Sequence, residues 1–169
     1  MRPRLVSPAV TVALLGVLCT PALAQAPASA VPDVLHRLAG AWVGEGTLLG
    51  GAGAFTMTWS AASAGAFRLD FTNGFVDDAG AVTPVLEAVA IYEARADGRL
   101  VARWTDSRPQ EVDIVAEASD SVLVSEWTAP SETGRTEYRL LADGRARVRD
   151  WVRVEGELRL FGEATYRRR

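Results

Sequence analysis

Residues 53–73, GAFTMTWSAASAGAFRLDFTN, hold two apolar–polar alternations back to back. Phe55, Met57 and Trp59 share one phase, with Thr56, Thr58 and Ser60 on the other. After Ala64-Gly65 the pattern resumes as Phe67, Leu69 and Phe71 against Arg68, Asp70 and Thr72. A period of two is the repeat of a strand, whose successive side chains point to opposite faces. A small-residue break between two such runs is a hairpin turn. Each strand is therefore a ribbon with one apolar face and one wet face.

The same grammar extends in both directions. Turn signals recur at Gly50-Gly51, Asp78-Ala79-Gly80, Asp97-Gly98, Ser119-Asp120, Glu132-Thr133-Gly134, Asp143-Gly144 and Glu155-Gly156. They divide the chain into about ten strands: 41–49, 53–61, 65–75, 85–95, 99–107, 110–118, 121–128, 134–141, 145–153 and 157–167. In the ninth, Val148 and Val152 alternate with Arg147, Arg149 and Arg153. The two Ala-Asp-Gly-Arg copies at 96–99 and 142–145 read as hairpin turns, not as a repeat. Before the strands, 32–38 reads as a short helix, with Asp33 placed to cap it and Gly40 to end it. Consecutive hairpins with no helix between them make an antiparallel meander, and closure removes its edges. The expected fold is all-β: a single up-and-down barrel of about ten strands, with the short helix plugging one end.

The N-terminus reads as an export signal. Arg2 and Arg4 precede a short, mainly apolar run from Leu5 to Leu18, and Ala22-Leu23-Ala24 offers the small residues of a cleavage site. That run is shorter than the ~20 residues of a spanning helix, and no later stretch is long and apolar enough, so no stable membrane insertion of the mature chain is expected. The domains are thus a signal peptide over 1–24, a Pro/Ala linker over 25–32 and a barrel over 33–169, with a periplasmic or secreted address. Cys19, the only cysteine, falls in the signal, and Leu18 before it argues against lipidation. The mature chain then has no disulfide, no thiolate nucleophile and no Cys-ligated metal. Of 18 basic residues, Arg2 and Arg4 leave with the signal; the other 16 face 21 acidic residues, a net charge near −5 that argues against nucleic acid. No lysine is present, so Schiff-base chemistry is excluded.

Gly40-Ala41-Trp42-Val43-Gly44-Glu45-Gly46, after a short helix and opening the first strand, resembles the start of calycin barrels: lipocalins, fatty-acid-binding proteins and the nitrobindin-like group. The resemblance implies that the Gly-x-Trp element packs at the closed end near an arginine of a late strand, here Arg167 or Arg168. The rest of the chain is similar to bacterial exported domains of unknown function. Nitrobindin-like proteins hold haem through a histidine toward the C-terminus. Here the lone histidine is His36, in the helix, and haem would have to be held by Tyr92, Tyr138, Tyr166 or Met57. No cofactor is therefore expected.

The candidate site follows from strand phase. The end opposite Trp42 is the expected mouth, because the connection from Val76 to Pro84 reads as long and flexible. Leu100, Ala102 and Trp104 lead to Asp106 on the inward phase; Val122 and Val124 lead to Glu126; Asp150 lies between Val148 and Val152. These carboxylates, with Asn73 and Arg108, are expected at the mouth, while the phase of Glu87 is open. Trp59, Phe55, Phe67, Phe71, Trp104 and Tyr138 fall inward, Trp127 and Trp151 outward. The candidate ligand-binding residues are Trp59, Phe71, Asn73, Trp104, Asp106, Arg108, Glu126, Tyr138 and Asp150, with no catalytic and no metal residues assigned. Two readings of the carboxylates stay open: a wet rim, or a polar cluster over an apolar pocket that orients a ligand. The expected function is binding of a small, partly apolar molecule in the lumen. The alternatives are a cofactor-free acid–base enzyme of isomerase, cyclase or hydratase type and an envelope accessory protein with a filled barrel.

Overall fold

The computed structural model describes residues 31–63, 65–108 and 110–169; the signal segment and nearly all of the linker lie outside them. Among these residues one helix, α1 (Asp33–Leu38), precedes ten strands. They are β1 (Gly40–Leu48), β2 (Gly51–Ser63), β3 (Ala66–Val76), β4 (Val82–Ala94), β5 (Leu100–Asp106), β6 (Glu111–Ala118), β7 (Val122–Thr128), β8 (Thr133–Leu140), β9 (Ala146–Val154) and β10 (Glu157–Arg168). Each strand pairs antiparallel with the next, and β10 returns to pair with β1, so the sheet closes into a barrel.

Turn chemistry fixes the hairpins. Glu155 and Gly156 have φ of 53° and 88°, the double positive φ that a two-residue type I′ turn demands. The first hairpin turns at Leu49-Gly50 (φ 49° and 85°), one residue earlier than the Gly50-Gly51 expectation, so Leu49 occupies the left-handed region. Both Ala-Asp-Gly-Arg copies are turns, each with its aspartate accepting from the backbone N–H and the guanidinium two residues on. The connection at the mouth is not a long loop. β4 begins at Val82, and Asp77 Oδ1 accepts from the N–H groups of Ala79 and Ala81, which ties five residues into a compact turn.

The two ends of the barrel differ in packing. Trp42, Met57, Trp59, Leu69, Tyr92, Leu100, Leu123 and Tyr166 are buried at or below the middle, and Val34, Leu35 and Leu38 of α1 close that end. Pro32 occupies the N-cap position and Asp33 the first turn, where it complements the helix dipole but caps nothing. The helix is held instead from the barrel side. Trp42 Nε1 donates to Leu38 O at 2.8 Å, and Arg168 donates to Ala39 O and Arg37 O. The Arg168 guanidinium stacks 4.4 Å over the Trp42 ring. Gly44 permits this close end: a methyl there would meet the Tyr166 ring at 2.7 Å.

Candidate functional site

Above this packed floor the barrel is open. A cavity of about 350 Å³ runs to the mouth, where the β1–β2, β5–β6 and β7–β8 connections gather. Its walls are mostly apolar: Leu48, Phe71, Trp104, Trp127, Val148 and Phe161 are among them. Phe71 and Trp104 pack at 5.6 Å between ring centroids. Small residues on the inward phase, Ala88 and Ala90 on β4 and Ser125 on β7, stand where a filled core would carry large ones, and Ser125 borders the cavity itself.

Arg108, Gln110 and Glu132 stand at the mouth, and a second set of polar groups lies below them. Asp150 of β9 stands opposite Thr136 of β8, whose hydroxyl donates to Asp150 Oδ1 at 2.7 Å. Burial pushes the Asp150 carboxyl up to about 6, and the Thr136 hydrogen bond offsets only part of that. Some of its surface nevertheless faces the lumen, which keeps the group within reach of water or a ligand. Tyr92 and Ser125 share a hydrogen bond of 3.2 Å between hydroxyls. Burial raises the Tyr92 hydroxyl to about 12, against hydrogen bonds from Ser125 and Tyr138 and with help from the Asp150 charge. Burial likewise holds Tyr138 and Tyr166 well above 10, and the Asp150 charge adds to both. All three phenols are therefore neutral donors and acceptors at any physiological pH.

Of the residues singled out from sequence, Phe71, Asn73, Trp104, Arg108, Tyr138 and Asp150 do line the cavity. Trp59 does not; it is packed beneath, with Tyr92 and Tyr138 at 5.2 and 5.4 Å. Asp106 points inward, and its side chain is fully shielded, but it serves its neighbours. Burial works against its ionisation; hydrogen bonds from the Arg108 side chain, Trp104 Nε1 and the Arg108 backbone outweigh burial and hold it below its ordinary value.

Glu126 is on the outer wall, beside Val115, Val122 and Val124, and pairs with Arg135 at 2.6 Å. The β7 phase is set by register, not by its valines. Leu123 sits opposite inward Tyr138, so Leu123, Ser125 and Trp127 face in, and Trp127 lines the lumen instead of the outside. Glu87 also faces out. No group of three His, Cys, Asp or Glu side chains converges among the described residues, so the three-carboxylate cluster does not form. Glu126→Gln should leave stability within about 0.5 kcal/mol and any luminal affinity unchanged, as denaturation and titration of the variant will show.

His36 packs edge-on against Phe67 at the closed end, with ring centroids 5.1 Å apart. The lumen lining offers no histidine, only phenols that hold their protons, so these residues do not fit a haem. Tyr92, Ser125, Trp127 and Thr136 belong to the site although sequence phase passed over them.

No protein-family model and no curated protein matches the sequence. Among solved structures, a redesigned β-barrel is similar at a TM-score of 0.39 and 14% identity, over 83% of this chain and 99% of that one. A likeness this loose adds nothing to a barrel already fixed by its own strand register.

Proposed function

We propose that this protein is an exported carrier or sensor that holds one small, partly apolar molecule in the barrel lumen. The observation that carries the reading is the cavity of about 350 Å³, mostly apolar in its lining with a few convergent polar groups, within the size range of ~300–1,000 Å³ usual for ligand sites. Export rests on the residue pattern of the first 24 positions. The stacking of Arg168 on Trp42 supports the calycin-like reading of the Gly-x-Trp element.

A neutral naphthalene fluorophore such as N-phenyl-1-naphthylamine tests the lumen directly. Its emission should rise on mixing with the protein, and Val112→Phe, which narrows a wall of the cavity, should abolish the rise while far-ultraviolet circular dichroism keeps its strand signal. An unchanged rise in that variant would place the fluorophore elsewhere and remove the reading. A second reading, proton transfer on a bound substrate without cofactor, is favoured by one feature: a luminal carboxyl whose pKa of about 6 lets it give or take a proton near neutrality. The two part company at Asp150→Asn. A carrier would lose affinity, whereas an enzyme would keep the compound and lose its turnover.

A further inference from the structure

The lumen presents hydrogen-bond acceptors that the fold leaves without donors. Asp150 Oδ1 is taken by Thr136, but Oδ2 faces Gly162 on β10, where a methyl would stand only 3.3 Å away. Glycine at that place keeps the oxygen uncovered. No cation among the described residues pairs with this carboxylate. Across the lumen, Asn73 Oδ1 is buried and has no partner. A buried donor without a partner, Trp59 Nε1, belongs to the packed floor outside the cavity. The remaining titratable groups facing the lumen are Tyr92, Tyr138 and, below them, Tyr166, all neutral, with Arg108 and Glu132 at the mouth. Arg108 is already bound to Asp106 at 2.7 Å. Around this unpaired carboxylate stand the faces of Trp104, Trp127, Tyr138 and Phe161.

We propose that the lumen selects an organic ammonium ion: an apolar or aromatic body against the tryptophans, its N–H donors on Asp150 Oδ2, and Asn73 Oδ1 as a second acceptor. A lone buried carboxylate demands a cation, and aromatic faces attract the same charge through their quadrupoles. This rests on the lumen being a ligand site.

Three probes of matched shape, 2-phenylethylamine, 2-phenylethanol and phenylacetate, are titrated by calorimetry at pH 5 and pH 7.5. The amine should bind about tenfold or more tighter than the alcohol at pH 7.5. Its affinity should fall toward pH 5 as Asp150 gains a proton, while the alcohol shows no such fall. Asp150→Asn should remove both the preference and its pH dependence. Equal binding of the alcohol, preferential binding of phenylacetate, or an amine affinity indifferent to pH and to Asp150→Asn overturns the proposal. If none of the three binds while the neutral fluorophore still enters, the amine is wrong and the luminal site stands. If the fluorophore is excluded as well, both fall.

Discussion

Trp42→Ala should cost the barrel about 3–5 kcal/mol, the usual range for deleting a buried tryptophan, and lower the melting temperature by about 10–20 °C. Three losses coincide at this position. The indole is 1% exposed in the closed end, so its removal leaves a void among α1, β1 and β2. Its N–H is the donor to Leu38 O, the last carbonyl of α1 before the chain enters β1, and alanine leaves that carbonyl without it. Its ring is also the platform for Arg168, which fastens two further carbonyls at the end of the helix. Trp42→Phe keeps most of the volume and the platform but not the donor, and should cost well under half as much. Thermal denaturation of the two variants checks the order. If Trp42→Ala is no worse than Trp42→Phe, the closed end relaxes around the loss and the helix is not held through this side chain.

The strand pattern was legible because β2, β3 and β9 carry large apolar residues on one phase and polar or charged ones on the other. That marks the inward face whatever surrounds it. The same rule fails where the wall borders empty space. On β7 the inward positions are Leu123, Ser125 and Trp127, while Val122 and Val124 dress the outer wall beside Val115. On β4 the inward Ala88 and Ala90 are smaller than the Val89 and Ile91 that face out. A lumen needs small and polar side chains inside, and this inverts the hydrophobic mark by which phase is read. That inversion exchanges Glu126 and Trp127 between the two faces and hides Tyr92, Ser125 and Thr136 from a reading by phase. Asp150 escaped the inversion because Val148 and Val152 flank it. For Asp106 the phase was right, and its i, i+2 spacing to Arg108 already signalled a local pair, the same arrangement as Arg68–Asp70 and Glu137–Arg139. What the sequence lacked was the register across strands, which only the closed sheet supplies.

Asp150→Asn should raise stability at neutral pH. In the folded protein burial holds the proton on this carboxyl up to about pH 6, whereas in the unfolded chain it ionises near 3.8. Below the lower value both states are protonated and the group is neutral in effect. Between the two values the unfolded chain releases its proton first, so stability falls as pH rises, and above the higher value the full cost persists. A difference of about two pKa units corresponds to about 3 kcal/mol, nearer 2 once the lumen-facing side of the carboxyl is allowed its contact with water. Asp106, shifted the other way by its Arg108 and Trp104 hydrogen bonds, loses its contribution as pH falls below 4, so the wild-type optimum should lie near pH 4–5. An asparagine cannot ionise, and its side-chain carbonyl still accepts from Thr136. Urea denaturation should therefore show the variant about 2 kcal/mol more stable at pH 7.5, equal at pH 4, and without the wild-type decline between them. The proposed ammonium ligand would remove the very cost that asparagine removes, because a cation bound at the carboxylate stabilises its charged form in the folded state. A wild-type stability that stays flat from pH 4 to 7, with Asp150→Asn less stable at pH 7.5, would mean that the carboxylate is already satisfied within the protein, and the lumen would then have no anion waiting for a ligand.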